Sequence, residues 1–281
     1  MATTPFVTVD WLKDRIGDPD LIVLDGSWYL PAQGRDAAGE YRAGHIPGAV
    51  RFDIDAVSDE TSGLPHMLPR PEVFAARVGA LGIGEDSRIV VYDGLGLFSA
   101  PRVRWMLQVY GARDVAILEG GYPAWVAGGG AVETGEGRPR EAREFNARLA
   151  AGAVAGAQDV ADALESGSAQ VVDARSGPRF RGEEAEPRPG VRPGHMPGAR
   201  NVHYAALQSE GRLKDAEALE AVFATNGVDP NRPVITTCGS GVTAAIVALA
   251  LETLGRPPQA LYDGSWSEWG SDPKRPVATG A

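Results

Sequence analysis

The stretch Val234-Ile-Thr-Thr-Cys-Gly-Ser-Gly-Val-Thr243, followed by Ala244-Ala-Ile-Val-Ala-Leu-Ala-Leu-Glu252, carries the main structural signal of this 281-residue chain. Its first four residues are apolar or β-branched and predict a buried strand, and the run after the glycines predicts a helix. The single cysteine, Cys238, stands at the turn between them. Backbone N–H groups of such a loop and the positive end of the helix stabilise a thiolate. We therefore interpret Cys238 as a candidate nucleophile, against the alternative that it is a small buried apolar residue.

The rest of the chain shows that this stretch is one copy of a repeat. Four pairs of matching segments lie between 144 and 150 residues apart, in the same order in both halves. They are Leu21-Ile-Val-Leu-Asp25 with Gln170-Val-Val-Asp173, Gly44-His-Ile-Pro-Gly-Ala49 with Gly194-His-Met-Pro-Gly-Ala199, Ile89-Val-Val-Tyr-Asp-Gly-Leu-Gly96 with Val234-Ile-Thr-Thr-Cys-Gly-Ser-Gly241, and Glu119-Gly-Gly-Tyr-Pro-Ala-Trp125 with Asp263-Gly-Ser-Trp-Ser-Glu-Trp269. Collinear matches at nearly one offset indicate an internal duplication.

Each half alternates short apolar strands with helical stretches, which cover residues 71–81, 100–110, 216–224 and 242–254. That alternation predicts the α/β class, with two tandem domains that each contain a parallel β-sheet flanked by helices. The segment 133–157 is rich in Gly, Arg, Glu and Ala and has no strand pattern. We predict an N-terminal domain over 1–132, a linker over 133–157 with the boundary near Ala150, and a C-terminal catalytic domain over 158–281.

Composition limits the classes of partner. Twenty-seven Lys and Arg against 37 Asp and Glu give a net charge of −10 without a basic run, which argues against nucleic acid or an anionic membrane surface. A small-molecule substrate is expected instead. No 18-residue apolar stretch is present, and the N-terminus lacks the pattern of a signal peptide. Because one cysteine cannot form an internal disulfide, we expect a reducing, cytoplasmic setting.

The duplication separates shared scaffold positions from residues that only one half has. Shared positions are interpreted as structural, and they include His45 and His195 as well as Asp25 and Asp173. Cys238, by contrast, is matched by Asp93 in the first half. We therefore predict one active site per chain and an inactive N-terminal copy, in which Asp93 is not a nucleophile.

Two arginines in the second half have a pattern suited to an anionic substrate. Arg179 and Arg188 lie in the loop after Asp173, and Arg188 falls opposite Ala38 of the first half. Paired N–H donors of arginine bind a carboxylate well. The alternative is that both belong to a solvated charged loop.

The first half has private residues as well. Asp55 falls opposite Ala205, and His66 follows in the segment Gly63-Leu-Pro-His66. A carboxylate that orients an imidazole, with the hydroxyl of Ser240 as third member, would form a proton relay beside Cys238. If this pairing forms, the active site lies between the two domains.

Together, the tandem repeat, the Gly-His-Ile/Met-Pro-Gly-Ala motifs and the single loop cysteine resemble the two-domain rhodanese-type sulfurtransferases over nearly the whole chain. The loop Cys238-Gly-Ser-Gly-Val-Thr243 is similar to that of members that act on 3-mercaptopyruvate, whereas thiosulfate-using members typically carry basic residues after the cysteine. The resemblance implies that Arg179 and Arg188 bind the carboxylate and keto group, and that Asp55, His66 and Ser240 handle protons. It also implies that the loop backbone binds the transferred sulfur. That part of the loop comprises Gly239, Gly241, Val242 and Thr243.

The implied reaction moves sulfur from 3-mercaptopyruvate to Cys238, releases pyruvate and discharges the persulfide to a thiol or to cyanide. No metal or organic cofactor is required, and without a second cysteine an external acceptor such as a thioredoxin-like protein is expected. Three alternatives remain. A thiosulfate sulfurtransferase is disfavoured because Gly239 and Ser240 put no cation beside the cysteine. A Cys-x5-Arg phosphatase would need arginine where Ala244 stands. A non-catalytic persulfide carrier would not need Arg179, Arg188 and His66.

Overall fold

A computed structural model describes residues 5–280 of the chain. Residues 1–4 and 281 lie outside the described part, so the N-terminal signal-peptide interpretation and the outer ends of the predicted domains fall partly outside it. The chain divides into two compact units. The first contains the described residues up to Asp59, together with Leu68–Ala150 and Glu210–Arg212. The second contains Glu60–Met67, Ala151–Ser209 and the described residues from Leu213 onward.

The first unit is built on a five-stranded parallel sheet with the order β1-β5-β4-β2-β3. The strands are β1 (Phe6–Val7), β2 (Leu21–Asp25), β3 (Val50–Arg51), β4 (Arg88–Tyr92) and β5 (Asp114–Leu118). The helices are α1 (Val9–Lys13), α2 (Ala37–Ala43), α3 (Ile54–Val57), α4 (Pro71–Ala80), α5 (Ala100–Val109) and α6 (Gly121–Ala127), with a 3-10 turn at Pro31–Gln33.

The second unit repeats this plan with the strand order β6-β12-β11-β7-β8, again parallel throughout. Its strands are β6 (Val154–Ala155), β7 (Gln170–Asp173), β8 (Arg200–Asn201), β11 (Val234–Thr237) and β12 (Ala260–Tyr262). Its helices are α7 (Ala157–Ser166), α8 (Gly177–Arg181), α9 (Ala216–Thr225), α10 (Ala244–Thr253) and α11 (Ser265–Trp269). Between β8 and α9 lie a 3-10 turn at Tyr204–Leu207 and a two-stranded ribbon of β9 (Gln208–Ser209) and β10 (Arg212–Leu213).

The prediction of two α/β domains with parallel sheets is confirmed, and the identical strand orders match the sequence duplication. The predicted helices correspond to α4, α5, α9 and α10, and their ends differ from the prediction by at most two residues. The residue bounds given above for domains and linker stay a prediction. No helix within residues 5–280 has the length and apolar character needed to cross a membrane.

The central position of β11 determines where the cysteine loop lies. Strand β11 pairs with β12 on one side and β7 on the other, and its four residues are buried. Helix α10 is buried on every side from Ala244 to Leu251, as expected for a helix that is apolar all round. Because parallel strands end at the same edge of a sheet, the segments that follow β7 and β12 flank the loop between β11 and α10.

The repeated histidines have equivalent structural roles. Nδ1 of His45 donates to the carbonyl of Tyr41, and Nδ1 of His195 donates to the carbonyl of Phe180, both at 2.8 Å. Each imidazole stacks on the ring of that same residue with 3.9 Å between centroids. Both histidines are buried, and both form a backbone bridge to a distant segment. This geometry agrees with the interpretation of the two residues as scaffold.

Candidate active site

The loop that carries Cys238 is braced by the turn between β12 and α11. The N–H of Cys238 donates to Ser265 Oγ at 3.3 Å, and its carbonyl accepts from the N–H of Trp266 at 2.9 Å. The next carbonyl, that of Gly239, accepts from the N–H and the hydroxyl of Ser267 at 2.9 and 2.6 Å. Cys238 itself is 2 % exposed. The loop is therefore held from one side by backbone and serine contacts, and the thiol is shielded from solvent.

Beyond the cysteine, the loop presents backbone donors at the start of α10. Thr243 is the residue that precedes the helix, and its side chain makes no capping hydrogen bond. Among residues 5–280, the N–H groups of Thr243 and Ala244 have no hydrogen-bond acceptor. Unsatisfied N–H groups at a helix N-terminus carry partial positive charge and favour an anion. The loop thus offers binding to a negatively charged group near Cys238.

In the matching loop of the first unit, a negatively charged side chain binds the N–H groups at the start of α5. The carboxylate of Asp93 accepts from four backbone N–H groups: Oδ2 from Phe98, Ser99 and Ala100 at 2.7, 2.9 and 2.9 Å, and Oδ1 from Leu95 at 2.9 Å. Phe98 and Ser99 are the counterparts of Thr243 and Ala244, each five or six residues after Asp93 or Cys238. Asp93 therefore caps α5 with its own anion, a role that the sequence did not reveal.

His66 and Ser240, which the sequence analysis assigned to different domains, both lie in the second unit and contact each other. His66 Nδ1 lies 3.0 Å from Ser240 Oγ and 3.3 Å from the Ser240 carbonyl. His66 is 5 % exposed and has a φ of +60°, a left-handed conformation that histidine tolerates better than branched residues. Its segment, Glu60–Met67, belongs to the second unit although the neighbouring residues on both sides belong to the first.

Arg179 is held against the cysteine loop by an acidic partner. Its guanidinium forms two hydrogen bonds with Glu186, which also accepts from Arg175 Nη1 at 2.8 Å. Arg175 in turn is paired with Asp173 at the end of β7, at 2.7 Å. A Cβ atom at position 239 would lie 3.2 Å from Arg179 Nη2, so the guanidinium covers Gly239. Because a chain of buried ion pairs fixes Arg179, its donors are oriented before any ligand arrives.

Arg188 approaches the same hydroxyl as His66. Its Nη2 lies 3.5 Å from Ser240 Oγ, at the limit of a hydrogen bond. The structure therefore brings together four of the predicted site residues, namely His66, Ser240, Arg179 and Arg188, around the Cys238 loop. The predicted loop positions Gly239, Gly241, Val242 and Thr243 lie between Cys238 and α10.

Asp55 lies in the first unit, at the start of α3. Its carboxylate accepts from Trp28 Nε1 at 3.0 Å, and its backbone N–H donates to Asp53 Oδ1 at 3.1 Å. The predicted pairing of Asp55 with His66 therefore stays a prediction.

Three residues of the site escaped the sequence analysis: Glu186, Ser265 and Ser267. The two serines were assigned only to the repeated Asp-Gly-Ser-Trp-Ser-Glu-Trp motif, although the first copy has glycine and proline at these positions, a difference that would have identified them. Ser265 is fully buried and has a φ of +51°, which is a strained conformation for serine. In this conformation its hydroxyl accepts the hydrogen bond from the Cys238 N–H. Glu186 shares its loop with two other acidic residues, Glu183 and Glu184, so nothing in the sequence distinguished it.

Comparison with known proteins identifies the family. A family model described as rhodanese-like domain matches this chain twice, over residues 8–128 and 156–272. The chain belongs to the rhodanese family. Each match covers the helices of one copy of the fold and four of the five strands of its parallel sheet, since β1 and β6 precede the matched ranges. In residues 5–280, no group of three or more His, Cys, Asp or Glu side chains is arranged to hold a metal ion.

Among rhodanese-family proteins, the chain is 50 % identical over 283 residues to a 3-mercaptopyruvate sulfurtransferase of Escherichia coli K12, covering 99 % of both chains. It is 43 % identical over 271 residues to a thiosulfate sulfurtransferase of Cricetulus griseus, covering 94 % of this chain and 91 % of that one. The crystal structure of SseA from Escherichia coli, presented with the rhodanese fold and mechanism of 3-mercaptopyruvate sulfotransferases, aligns with a TM-score of 0.87 at 47 % identity. That alignment covers 94 % of this chain and 99 % of SseA.

Proposed function

We propose that this rhodanese-family protein is a 3-mercaptopyruvate sulfurtransferase that uses Cys238 as its nucleophile. The observation that carries the proposal is the position of Arg179, whose guanidinium covers Gly239 next to the buried cysteine. An arginine fixed there suits the carboxylate of a keto acid. The full-length similarity to the Escherichia coli enzyme supports the same activity.

In the first half-reaction, the Cys238 thiolate attacks the thiol sulfur of 3-mercaptopyruvate. A sulfur–sulfur bond forms, the carbon–sulfur bond breaks, and its electron pair leaves as the enolate of pyruvate. The thiol proton is released, and one proton is delivered to the enolate carbon to give pyruvate. Ser240 and His66, joined by a hydrogen bond of 3.0 Å, are suited to transfer this proton, with Asp55 proposed as their third partner.

The persulfide that remains on Cys238 carries a negative charge on its outer sulfur. We propose that the N–H groups of Thr243 and Ala244 bind this sulfur, as those of Phe98 and Ser99 bind the Asp93 carboxylate. The adjoining loop backbone at Gly239, Gly241 and Val242 completes the enclosure. In the second half-reaction, an external thiolate or cyanide attacks the outer sulfur and the Cys238 thiolate is regenerated.

Thiosulfate is the second candidate donor, because one relative at 43 % identity is named thiosulfate sulfurtransferase. Two features of the loop favour the keto acid. Gly239 and Ser240 are neutral, so a dianion gains little attraction beside the cysteine. A basic side chain at 239 would also meet the guanidinium of Arg179, whose position is fixed by Glu186.

The acceptor is proposed to be an external thiol, either a small thiol or a thioredoxin-like protein. Cys238 is the single cysteine of the sequence, so no second thiol of this chain resolves the persulfide. A reducing compartment keeps both the acceptor and Cys238 reduced, which supports a cytoplasmic location. The net charge of −10 supports a small-molecule role without nucleic acid or membrane as partner.

The test is to incubate the protein with 3-mercaptopyruvate alone and to measure pyruvate together with the mass of the intact protein. One pyruvate per chain and one added sulfur atom are expected before any acceptor is supplied. Cys238→Ser should give neither product. Pyruvate release by that variant at the parent rate would overturn the mechanism. The ratio of kcat/KM for 3-mercaptopyruvate to kcat/KM for thiosulfate then decides between the two donors, and a ratio below one would favour thiosulfate.

A further inference from the structure

The first unit contains a cavity that the proposed reaction does not use. Its volume is about 290 Å³, and it opens beside the end of strand β2. The residues that matter here are Asp25, Ser27, Glu40, Gly44 and Tyr122, all of which line it. Two of them, Asp25 and Ser27, are each 4 % exposed. The cavity therefore has a buried carboxylate in its wall.

In the second unit, the equivalent space is filled by the side chain of Arg175. Its Nε and Nη2 donate to the Asp173 carboxylate at 2.9 and 2.7 Å, and Nη2 also donates to the Gly194 carbonyl at 2.8 Å. The guanidinium lies over the ring of Trp266, 4.5 Å from its centroid, and Nη1 donates to Glu186. Arg175 is 2 % exposed. A planar cation thus completes this part of the second unit.

The first unit retains the surroundings of this cation but has no arginine at the corresponding position, although Arg35 also lines the cavity. The repeat pairs Asp25 with Asp173, Gly44 with Gly194, and Tyr122 with Trp266, while Ser27 stands where Arg175 is found. The local geometry is also the same, because the N–H of Ser27 donates to Asp25 Oδ1 at 2.8 Å and that of Arg175 to Asp173 Oδ1 at 2.9 Å. The carboxylate, the carbonyl-bearing glycine and the aromatic ring all line the cavity.

A second acid, Glu40, lines the cavity, and in the second unit a second acid, Glu186, accepts from Arg175. Glu40 accepts from Nε and Nη2 of Arg35, as Glu186 accepts from Nε and Nη2 of Arg179. Glu186 uses its remaining capacity for Arg175, whereas Glu40 accepts from the Tyr29 hydroxyl at 2.6 Å. Arg35 forms an ion pair with Glu40 and stacks over the ring of Tyr29. It therefore does not take the place that the Arg175 guanidinium has in the second unit.

Asp25 consequently has a carboxylate without an ion-pair partner among residues 5–280. The Tyr92 hydroxyl and the Ser27 side chain hydrogen-bond to this carboxylate. The charge of Arg51 lowers the pKa of Asp25, but its effect is weaker than that of burial and of these hydrogen bonds. Arg51 is itself paired with Asp53 at 3.1 Å. Burial raises the pKa of Asp25, as expected for a carboxyl group that lacks a nearby cation.

We propose that this cavity is a binding site for a guanidinium group. The Asp25 carboxylate and the Gly44 carbonyl would accept its N–H groups, and the face of Tyr122 would lie against its plane, as Asp173, Gly194 and Trp266 do for Arg175. The same chemistry is offered by an arginine side chain of another protein and by a small guanidino compound. The site lies in the unit without the cysteine and is independent of the proposed sulfur transfer.

The test is calorimetric titration of the full-length protein at pH 7.5 with methylguanidinium, agmatine and the tripeptide Gly-Arg-Gly. Saturable binding at one site per chain is expected, and equimolar urea, a neutral molecule of similar shape, should not bind. Asp25→Asn should weaken binding about tenfold or more, because it removes a charge-assisted hydrogen bond. Asp86→Asn, which removes a surface charge of the same unit, should leave binding unchanged. Tighter binding of agmatine indicates a small ligand, and tighter binding of the peptide indicates a protein side chain.

The decisive variant is Ser27→Arg, which supplies the arginine that the second unit has. It should place its own guanidinium in the cavity, abolish binding of methylguanidinium and raise the thermal midpoint of unfolding. Undiminished binding by Ser27→Arg would overturn the proposal, as would absence of saturable binding to the parent protein. If Ser27→Arg does not fold, the test rests on Asp25→Asn, because asparagine keeps an acceptor oxygen for the Ser27 N–H. Methylguanidinium binding to Asp25→Asn that equals binding to the parent would then overturn the proposal.

Discussion

The imidazole Nδ1 of His66 lies 3.0 Å from the hydroxyl of Ser240, although 174 residues separate the two in sequence. We expect this contact to serve the thiol proton of 3-mercaptopyruvate, which thiosulfate does not have. His66→Asn, which tolerates the φ of +60°, should lower kcat/KM for 3-mercaptopyruvate about 100-fold and that for thiosulfate far less. Steady-state kinetics with both donors measures the difference. His203→Asn is the control, and equal losses for both donors would argue against a proton role.

The ion pair between Glu186 and Arg179 gives a second prediction. Glu186→Gln weakens the restraint on Arg179 without altering the arginine itself, so KM for 3-mercaptopyruvate should rise about tenfold with a smaller change in kcat. The matched control is Glu183→Gln, since Glu183 makes the same two-bond contact with Arg181 at the exposed surface. If both variants shift KM equally, the position of Arg179 is not what binds the substrate. Thermal unfolding of both variants separates this effect from a loss of stability through Arg175.

Gly239 provides a test of donor selectivity. Gly239→Arg adds a cation beside Cys238 and displaces the Arg179 guanidinium, since a Cβ atom there lies 3.2 Å from Arg179 Nη2. The ratio of kcat/KM for thiosulfate to that for 3-mercaptopyruvate should rise about tenfold or more. Gly239→Ala separates crowding from charge, because it introduces the Cβ atom alone. A rise with alanine as large as with arginine would show that charge is not the cause.

Asp93 should contribute strongly to the stability of the first unit. Asp93→Ala leaves four buried or partly buried backbone N–H groups without the carboxylate, and we expect a loss of about 2–4 kcal/mol in the free energy of unfolding. Asp93→Asn keeps one acceptor oxygen and should lose about half as much. Urea denaturation measures both, with Asp86→Asn as the surface control. A loss below about 0.5 kcal/mol for the alanine variant would contradict the capping role.

The carboxyl group of Asp25 predicts a dependence of stability on pH. The pKa of Asp25 is raised in the folded protein. Its contribution to the free energy of unfolding is therefore fully present below the pKa of the unfolded chain and is lost as pH rises through the pKa of the folded protein. Asp25→Asn removes this loss. Without guanidinium, the variant should therefore gain thermal stability relative to the parent between pH 4 and neutrality. Thermal midpoints of both proteins across this range give the comparison, and a difference that does not change with pH would contradict the assignment.

Sequence patterns were sufficient to predict the fold because strands, glycine turns and apolar helices are local features. The duplication supported each of these patterns, because it occurs in both halves. Residues found in only one half also led to the prediction of Cys238, Ser240, His66, Arg179 and Arg188 as site residues. The structure places the last four around the Cys238 loop, and their roles stay a prediction. Partners within charged or irregular segments were not identified. Glu186 and Asp93 act through hydrogen bonds chosen by three-dimensional proximity, which residue spacing does not encode. The His66 segment belongs to the second unit because of long-range contacts, which residue spacing likewise does not encode.

The carboxylate of Asp93 has one more consequence for the two copies of the loop. In the first unit, the amide protons of Phe98, Ser99 and Ala100 are hydrogen-bonded in every molecule. In the second, the proposed mechanism gives those of Thr243 and Ala244 an acceptor only while sulfur is attached to Cys238. Amide hydrogen exchange should therefore be slow and constant near Asp93, but should slow near Cys238 when 3-mercaptopyruvate loads the protein. The loop of Asp93 thus supplies, within each molecule, a reference for the rigidity that we propose the Cys238 loop reaches halfway through the reaction cycle.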